Sequence, residues 1–568
     1  MSAVCGRAPG IGFTRRPLGL RASSTTELRH RASGACKRSF DSTLPSTPPV
    51  VTQGSKRFWP LHNQLFKAKQ VSKRGPSLVA KAAAVTVTDA EPAPTWQGAK
   101  PVPMAITIAV GLVLRYLVPI PEGIVPEAWT LLSIFLSTIT GLVVAPLPTG
   151  AVAFIALTVS VLTNTLTFAQ ATAAMTSEVI WLIVVSFFFA KGFELTGLGQ
   201  RVALLFVKVF GGSTLGLSYG LNLAEGIVSP AMPSTTARAG GIFMPIMKSV
   251  SENASSMPGD DSRLRLGAFL AHSQFQTSSH TSALFLTAAA QNLLCLKLAS
   301  DVIGPISNTF ATWMMGGLLP AAVGVVLTPL LIFKLIPPEL KETPEAPQEA
   351  SKQLEEKGPM TRDEIIMMGT MLFAVALWIG GEAIGVSPVL AAMMGLVILL
   401  TTGVLKWQQC LEYSPAWDTF FWFAVLIGLS GQLNEMGLIN LFSDKCGSLL
   451  ASLNMGWQPV FVILHGVFFF IHYLFASQTA HVGALYTAFL TLMVTAGAPP
   501  LLAALSLAYN TNLFGSITQF ASGQAAVYYG AGFMSLKEVF KIGAICAVFN
   551  LVVWGVVGGA WWKIIGWW

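Results

Sequence analysis

From Pro103 onward, long apolar runs alternate with short polar gaps. Clear examples are Ile106–Ile120, Leu131–Leu147, Ala151–Leu166, Val179–Ala190, Ile365–Ile379, Val389–Leu405 and Val539–Trp562. With their flanks, most approach the ~20 residues that a membrane-crossing helix needs. The pattern predicts an all-α polytopic membrane protein. The longest hydrophilic gap, Pro337–Asp363, holds several prolines and many charges. It divides the apolar region into a first repeat (102–337) and a second (364–568), with a linker at 338–363. Such a composition predicts an extended, mobile linker.

The later runs in each half are interrupted by polar clusters. One signature occurs twice: Ser234-Thr235-Thr236-Ala237-Arg238-Ala239-Gly240 and Ser477-Gln478-Thr479-Ala480-His481-Val482-Gly483. Ahead of each copy lies a further matched pair, Glu194-Leu195-Thr196-Gly197-Leu198 and Glu435-Met436-Gly437-Leu438, at nearly the same offset. Ordered landmarks at one offset indicate an internal duplication. Each half then has a second polar break, Ser273–Thr281 continuing to Gln291-Asn292, and Asn510–Asn512 continuing through Ser516, Thr518, Gln519 and Ser522 to Gln524. Non-helical backbone at membrane depth must be buried in protein or line a cavity. Duplicated breaks therefore point to a substrate site at the repeat interface. A lone Ser or Thr in such helices reads first as interhelical hydrogen-bonding glue; the paired clusters beside Pro and Gly read as a site.

Composition agrees with this picture. The chain is 53% hydrophobic and 11% charged, where soluble domains carry about 25% charge. Its net charge of +8 is unevenly spread. The first 80 residues contribute +12, with Glu27 and Asp41 their only acids, and the remainder is about −4. That arm is rich in Arg, Ser and Thr and lacks a long apolar stretch, the profile of an organelle transit peptide. Its length and hydroxyl content favour a chloroplast address, ending near residue 82. The basic balance is thus an address and no sign of nucleic-acid binding. The six cysteines, Cys5, Cys36, Cys295, Cys410, Cys446 and Cys546, are scattered and lack the spacing of a zinc site. No cofactor is expected.

The chemistry of the breaks favours an anion. A broken helix exposes unpaired N–H groups at its new N-terminus, and its dipole attracts negative charge. Two symmetry-related breaks would cradle the two ends of a dicarboxylate. Candidate substrate-binding residues are Ser234, Thr235, Thr236, Ser477, Gln478, Thr479 and Ser522, with the basic Arg238 and His481. Ionisable side chains at depth are functional candidates by default. The competing readings are an ion pair with Glu225 or Glu194, or snorkelling, for Arg238, and a hydrogen-bonded core histidine for His481.

At these residues the chain resembles the divalent anion–sodium symporter family, in particular its plastid dicarboxylate branch. Pro233–Gly241, Ala283–Leu298 and Asn510–Gly530 carry the resemblance, which extends over essentially everything after residue ~95. It implies a homodimer with scaffold and transport domains, inverted repeats each with a re-entrant hairpin and a broken helix, and elevator-type movement. It implies that Ser234-Thr235-Thr236 and Ser477-Gln478-Thr479 form the hairpin tips, with helix breaks near Ala288–Asn292 and Ala521–Gln524. The family's tips carry Asn at their centre, where this chain has Thr235 and Gln478. Those positions read as degenerate sodium-site positions, so no metal is expected. The branch implies sodium-independent exchange of 2-oxoglutarate for malate across the chloroplast inner envelope, serving ammonia assimilation and photorespiration. Succinate, fumarate and oxaloacetate are further candidates, and glutamate/malate exchange or sodium-coupled symport are the alternatives. The stretch Ser282–Thr287 and the lack of an acid inside either signature favour 2-oxoglutarate. Moving one charge through 100 mV involves ~2.3 kcal/mol, and exchange of dianions cancels that cost.

Gly428-Leu429-Ser430-Gly431 matches the G-x-S-G of intramembrane serine proteases, with His465, His472 or His481 as the base that Ser430 would require. The repeat-related residue of Ser430 is Ala190, so the segment reads as packing and no enzyme is expected.

Overall fold

The computed structural model describes residues 98–568, apart from 439–440, 442–444, 446–447, 449–454 and 476. The expected transit peptide, with Cys5 and Cys36, lies outside the described residues, as does Cys446.

The described residues are helical throughout, with one isolated bridge between Ser213 and Glu342. Among the described residues, six helices are long and apolar enough to cross a membrane: Pro126–Val144, Glu178–Thr196, Thr309–Leu335, Arg362–Ile384, Trp457–Leu474 and Leu536–Ile564. Their outer faces expose apolar side chains such as Leu372, Val462 and Val556, as a lipid-facing surface requires.

The duplication read from the sequence recurs element by element. In the first half Glu178–Thr196 leads to an arm, Thr214–Val228, a tight turn at Ser229–Ala231 and a helix that restarts at Thr235. The second half repeats this with Ser414–Glu435, Trp457–Ile471, His472–Leu474 and Gln478–Thr495. Each half then has a broken helix. Gly267–Leu284 ends and Ala290–Ile303 resumes; Pro500–Leu513 ends and Gly523–Gly530 resumes. A long closing helix follows in each, Thr309–Leu335 and Leu536–Val552. Between equivalent starts at Pro126 and Arg362 the chain crosses with Pro126–Val144, Thr149–Leu162, Glu178–Thr196, the first broken helix and Thr309–Leu335. An odd number of crossings inverts the second repeat relative to the first.

Each break frees backbone groups that lipid cannot satisfy. Asn292 Nδ2 donates to the carbonyls of Ser282 (2.9 Å) and Phe285 (3.1 Å), and Trp313 Nε1 donates to Ala283 (2.9 Å). In the second half Gln276 Nε2 donates to the Ser516 carbonyl at 3.0 Å and Asn550 Nδ2 to Leu513 at 3.4 Å. Side chains thus replace the water that would cap these helix ends elsewhere.

The linker differs from its expected extended form. Glu345–Lys357 is a helix lying on Leu198–Phe210. Thr214 Oγ1 donates to Leu340 O (2.6 Å), Thr343 Oγ1 to Gly211 O (2.7 Å), and Arg201 pairs with Glu364 at 2.8 Å while donating to Gly358 O (2.9 Å). Its prolines cluster at the ends, Pro337, Pro338 and Pro344 before it and Pro359 after it; within the helix only Pro347 occurs, in the first turn, where proline is tolerated.

Candidate functional site

Both tips are helix starts capped by their own serine. Ser234 Oγ accepts from Ala237 N–H at 3.2 Å, and Ser477 Oγ accepts from Ala480 N–H at 3.3 Å. The first and third residues of each tip keep hydroxyls accessible: Thr236 and Ser477 are exposed, and Ser234 and Thr479 half-buried. Ser477 and Thr479 hydroxyls lie 3.0 Å apart.

The tips meet the broken helices of the opposite halves. Thr235 Oγ1 donates to Gln524 Oε1 at 2.7 Å. Gln478 accepts from Gln291 Nε2 at 3.5 Å and donates to the Thr511 carbonyl at 3.0 Å. Thr235 and Gln478 are the central tip residues; Gln524 and Gln291 are each the second residue of a resumed helix. One contact is thereby made twice. Gln291 also donates to Asn512 Oδ1 (3.2 Å), and Asn512 Nδ2 to Asn292 Oδ1 (2.7 Å), closing a network across the repeat interface.

Three candidate segments converge at the second break. Ser522 caps Gly523–Gly530 by accepting from Ala525 N–H at 3.2 Å. A Cβ added to Gly523 would fall 1.9 Å from Thr236 Oγ1. A Cβ on Gly515 would fall 3.4 Å from Ser522 Oγ and 3.5 Å from Gln478 Nε2. The two glycines let Thr236, Ser522 and Gln478 share one place.

Arg238 and His481 sit behind the tips, fully buried. Arg238 Nε pairs with Glu225 at 3.4 Å, Nη1 donates to the carbonyls of Met232 and Ala288, and Nη2 donates to Ser282 Oγ at 2.6 Å. Gln274 donates to the other Glu225 oxygen. Four donors of the guanidinium are therefore engaged by the protein, tying the first hairpin to the first break. In the second half the same job falls to two histidines. His472 Nε2 lies 2.8 Å from the Ala521 carbonyl, and His472 Nδ1 lies 3.1 Å from His481 Nδ1. The carbonyl requires the proton on His472 Nε2, so the proton between the rings belongs to His481. Ala288 and Ala521 are equivalent, each closely preceding a resumed helix. Phe468 stands where the first half has Glu225, and His481 stacks between Phe475 (5.0 Å) and Phe514 (4.7 Å).

Sequence reasoning singled out neither His472 nor the Gln291–Asn512 bridge as part of the site. Gln291 and Gln524 were visible as polar residues at matched positions after each break; His472 carried no such signal. Ser430 lies in Ser414–Glu435, where Gly428 approaches the Ala171 carbonyl. His465 is committed to Phe461 O (2.9 Å), and His472 and His481 to each other. No hydrogen bond links any of the three to Ser430 among the described residues.

The family described as "Sodium:sulfate symporter transmembrane region" matches residues 99–568. The chain belongs to that family. It is 57% identical over 473 residues to dicarboxylate transporter 2, chloroplastic, of Spinacia oleracea, covering 83% of this chain and 84% of that protein. Dicarboxylate transporter 2.1, chloroplastic, of Arabidopsis thaliana is 58% identical over 470 residues, with 83% and 84% covered. Among solved structures, Neisseria gonorrhoeae MtrF, described as illuminating a class of antimetabolite efflux pumps, superposes with a TM-score of 0.50 at 13% identity, covering 81% of this chain and 93% of that one. That likeness concerns the fold. The protein is a membrane transporter and not an enzyme.

Proposed function

We propose that the protein is a chloroplast inner-envelope antiporter that exchanges dicarboxylates, 2-oxoglutarate for malate, as a homodimer. The observation that carries this reading is the convergence of Thr236, Gln478 and Ser522 at the second break. Capped helix starts there present N–H groups and hydroxyls, and both favour an anionic carboxylate. Ser234, Thr236, Ser477, Thr479 and Ser522 contact substrate; Thr235 and Gln478 hold the tips against the opposite repeat. Arg238 and His481 support the cradle from behind. The plastid dicarboxylate transporters to which the chain is similar agree with the substrate class and the compartment.

Sodium fits the tips poorly. Sodium needs free oxygen lone pairs, whereas at the second tip Gln478 Oε1 and the Thr511 carbonyl already accept from Gln291 Nε2 and Gln478 Nε2. Glu225 is engaged by Arg238 and Gln274, which leaves it unable to serve a substrate ammonium and favours 2-oxoglutarate over glutamate. Uptake of labelled 2-oxoglutarate into malate-loaded vesicles, competed by a panel of unlabelled acids, tests the pair. Malate, succinate, fumarate and oxaloacetate should compete; competition by glutamate as strong as by malate would overturn the assignment.

A further inference from the structure

A cavity of about 230 Å³ lies away from the tips, between the arm Trp457–Ile471, the helix Pro500–Leu513 and the C-terminal segment. Trp457, Phe461, Trp554 and Trp562 form much of its wall. It reaches the lipid-facing surface at Val462, which is 68% exposed. Its lining nevertheless includes Asn510, only 3% exposed, and His465.

Asn510 is left with a free acceptor. Asn510 Nδ2 donates to His465 O at 3.2 Å, while Asn510 Oδ1 is buried without a hydrogen-bond partner among the described residues. His465 Nδ1 lies 2.9 Å from Phe461 O, which places the ring proton on Nδ1. A buried, unmet acceptor is costly, so this cavity calls for a donor. No Lys, Arg, Asp or Glu lines it. An anionic headgroup would find no cation there, and an ammonium would be buried without a counter-charge. A neutral hydroxyl meets the demand.

We infer that this cavity binds the headgroup of an uncharged, hydroxyl-bearing membrane lipid, whose O–H donates to Asn510 Oδ1. The volume is below the ~300–1,000 Å³ of a whole small-molecule site, so it takes the head and the first carbons of a chain, with the tail in the bilayer. The occupant would bridge the second hairpin's arm to the broken helix. The neighbouring Thr511 carbonyl holds Gln478, and Asn512 holds Gln291 and Asn292, so the lipid would steady the helix that positions the second tip. This binding does not depend on which solute is carried.

The test is retention of radiolabelled dioleoylglycerol by the purified full chain in detergent, measured after gel filtration. Gly555→Leu and Gly559→Leu fill the cavity from positions where an added Cβ meets open space, so folding should survive. Saturable binding is expected, weakened at least about fivefold by either substitution and to a similar extent by Asn510→Leu, the worth of about one hydrogen bond. Should Asn510→Leu fail to fold, the glycine variants decide. Binding that survives Gly555→Leu combined with Gly559→Leu would overturn the site. Equal retention of dioleoylphosphatidylcholine, which lacks a hydroxyl, or preferential retention of phosphatidylethanolamine or phosphatidylglycerol, would overturn the neutral-donor assignment.

Discussion

Thr235 donates a 2.7 Å hydrogen bond to Gln524, from the hairpin tip of one repeat to the resumed helix of the other. Gln478 and Gln291 make the equivalent contact in reverse. The proposed substrate cradle is thus closed by reciprocal contacts between halves, and neither half can form it alone. Removing one partner should release a tip. Thr235→Val and Gln524→Leu should each slow exchange about fivefold, and the double variant should be no slower than the worse single, a coupling of about 1 kcal/mol. A double-mutant cycle on vesicle uptake rates measures it; additive losses would show that the two side chains act separately.

Arg238 is a support, and its loss should be felt first in stability. Arg238→Ala leaves Glu225 charged and buried, at a cost of about 3–5 kcal/mol. Combining Arg238→Met with Glu225→Leu removes both charges and should recover most of the thermal stability in detergent. Arg238→Lys should recover little, because one ammonium cannot reach Glu225, Ser282, Met232 and Ala288 together. A melting temperature unchanged in Arg238→Ala would contradict this role.

His472 positions Ser522 through the Ala521 carbonyl. His472→Ala should raise the KM for dicarboxylate several-fold with a smaller change in maximal rate. His472→Gln, which keeps an N–H donor, should restore part of the affinity. A fall in maximal rate alone would point to a role in the movement of the transport domain.

Gly523 admits Thr236 against the second break. Gly523→Ala would place a methyl 1.9 Å from Thr236 Oγ1, a contact that forces the tip aside. Uptake should fall at least about tenfold while the melting temperature changes by little, since a displaced side chain at an accessible site costs under about 1 kcal/mol. With Thr236→Ala in place the clash is gone, so the double variant should be no slower than Thr236→Ala alone, which separates crowding from any general damage at this position.

Much of this arrangement was legible in the chain. The duplication, the two tips and the two breaks follow from polar residues at one offset inside apolar runs, because lipid tolerates such residues only where protein covers them. Two features escaped. The linker read as extended from its prolines and charges, but those prolines flank or start Glu345–Lys357, and the segment is held by contacts with distant residues, such as Thr343 with Gly211, 132 positions away. His472 escaped because its counterpart is Ser229: the two halves solve the same problem with Arg238 and Glu225 in one and a histidine pair in the other. Sequence symmetry reveals equivalent positions, whereas the exchange of an ion pair for stacked imidazoles shows only once the rings are placed beside Phe514.

The proposed function requires coupled exchange without sodium. The direct measurement is uptake of labelled malate into vesicles containing the purified protein, with and without internal 2-oxoglutarate, each in sodium and in potassium buffer. Uptake is expected only in vesicles loaded with 2-oxoglutarate, at the same rate in both buffers. Net uptake into empty vesicles that requires sodium would contradict it.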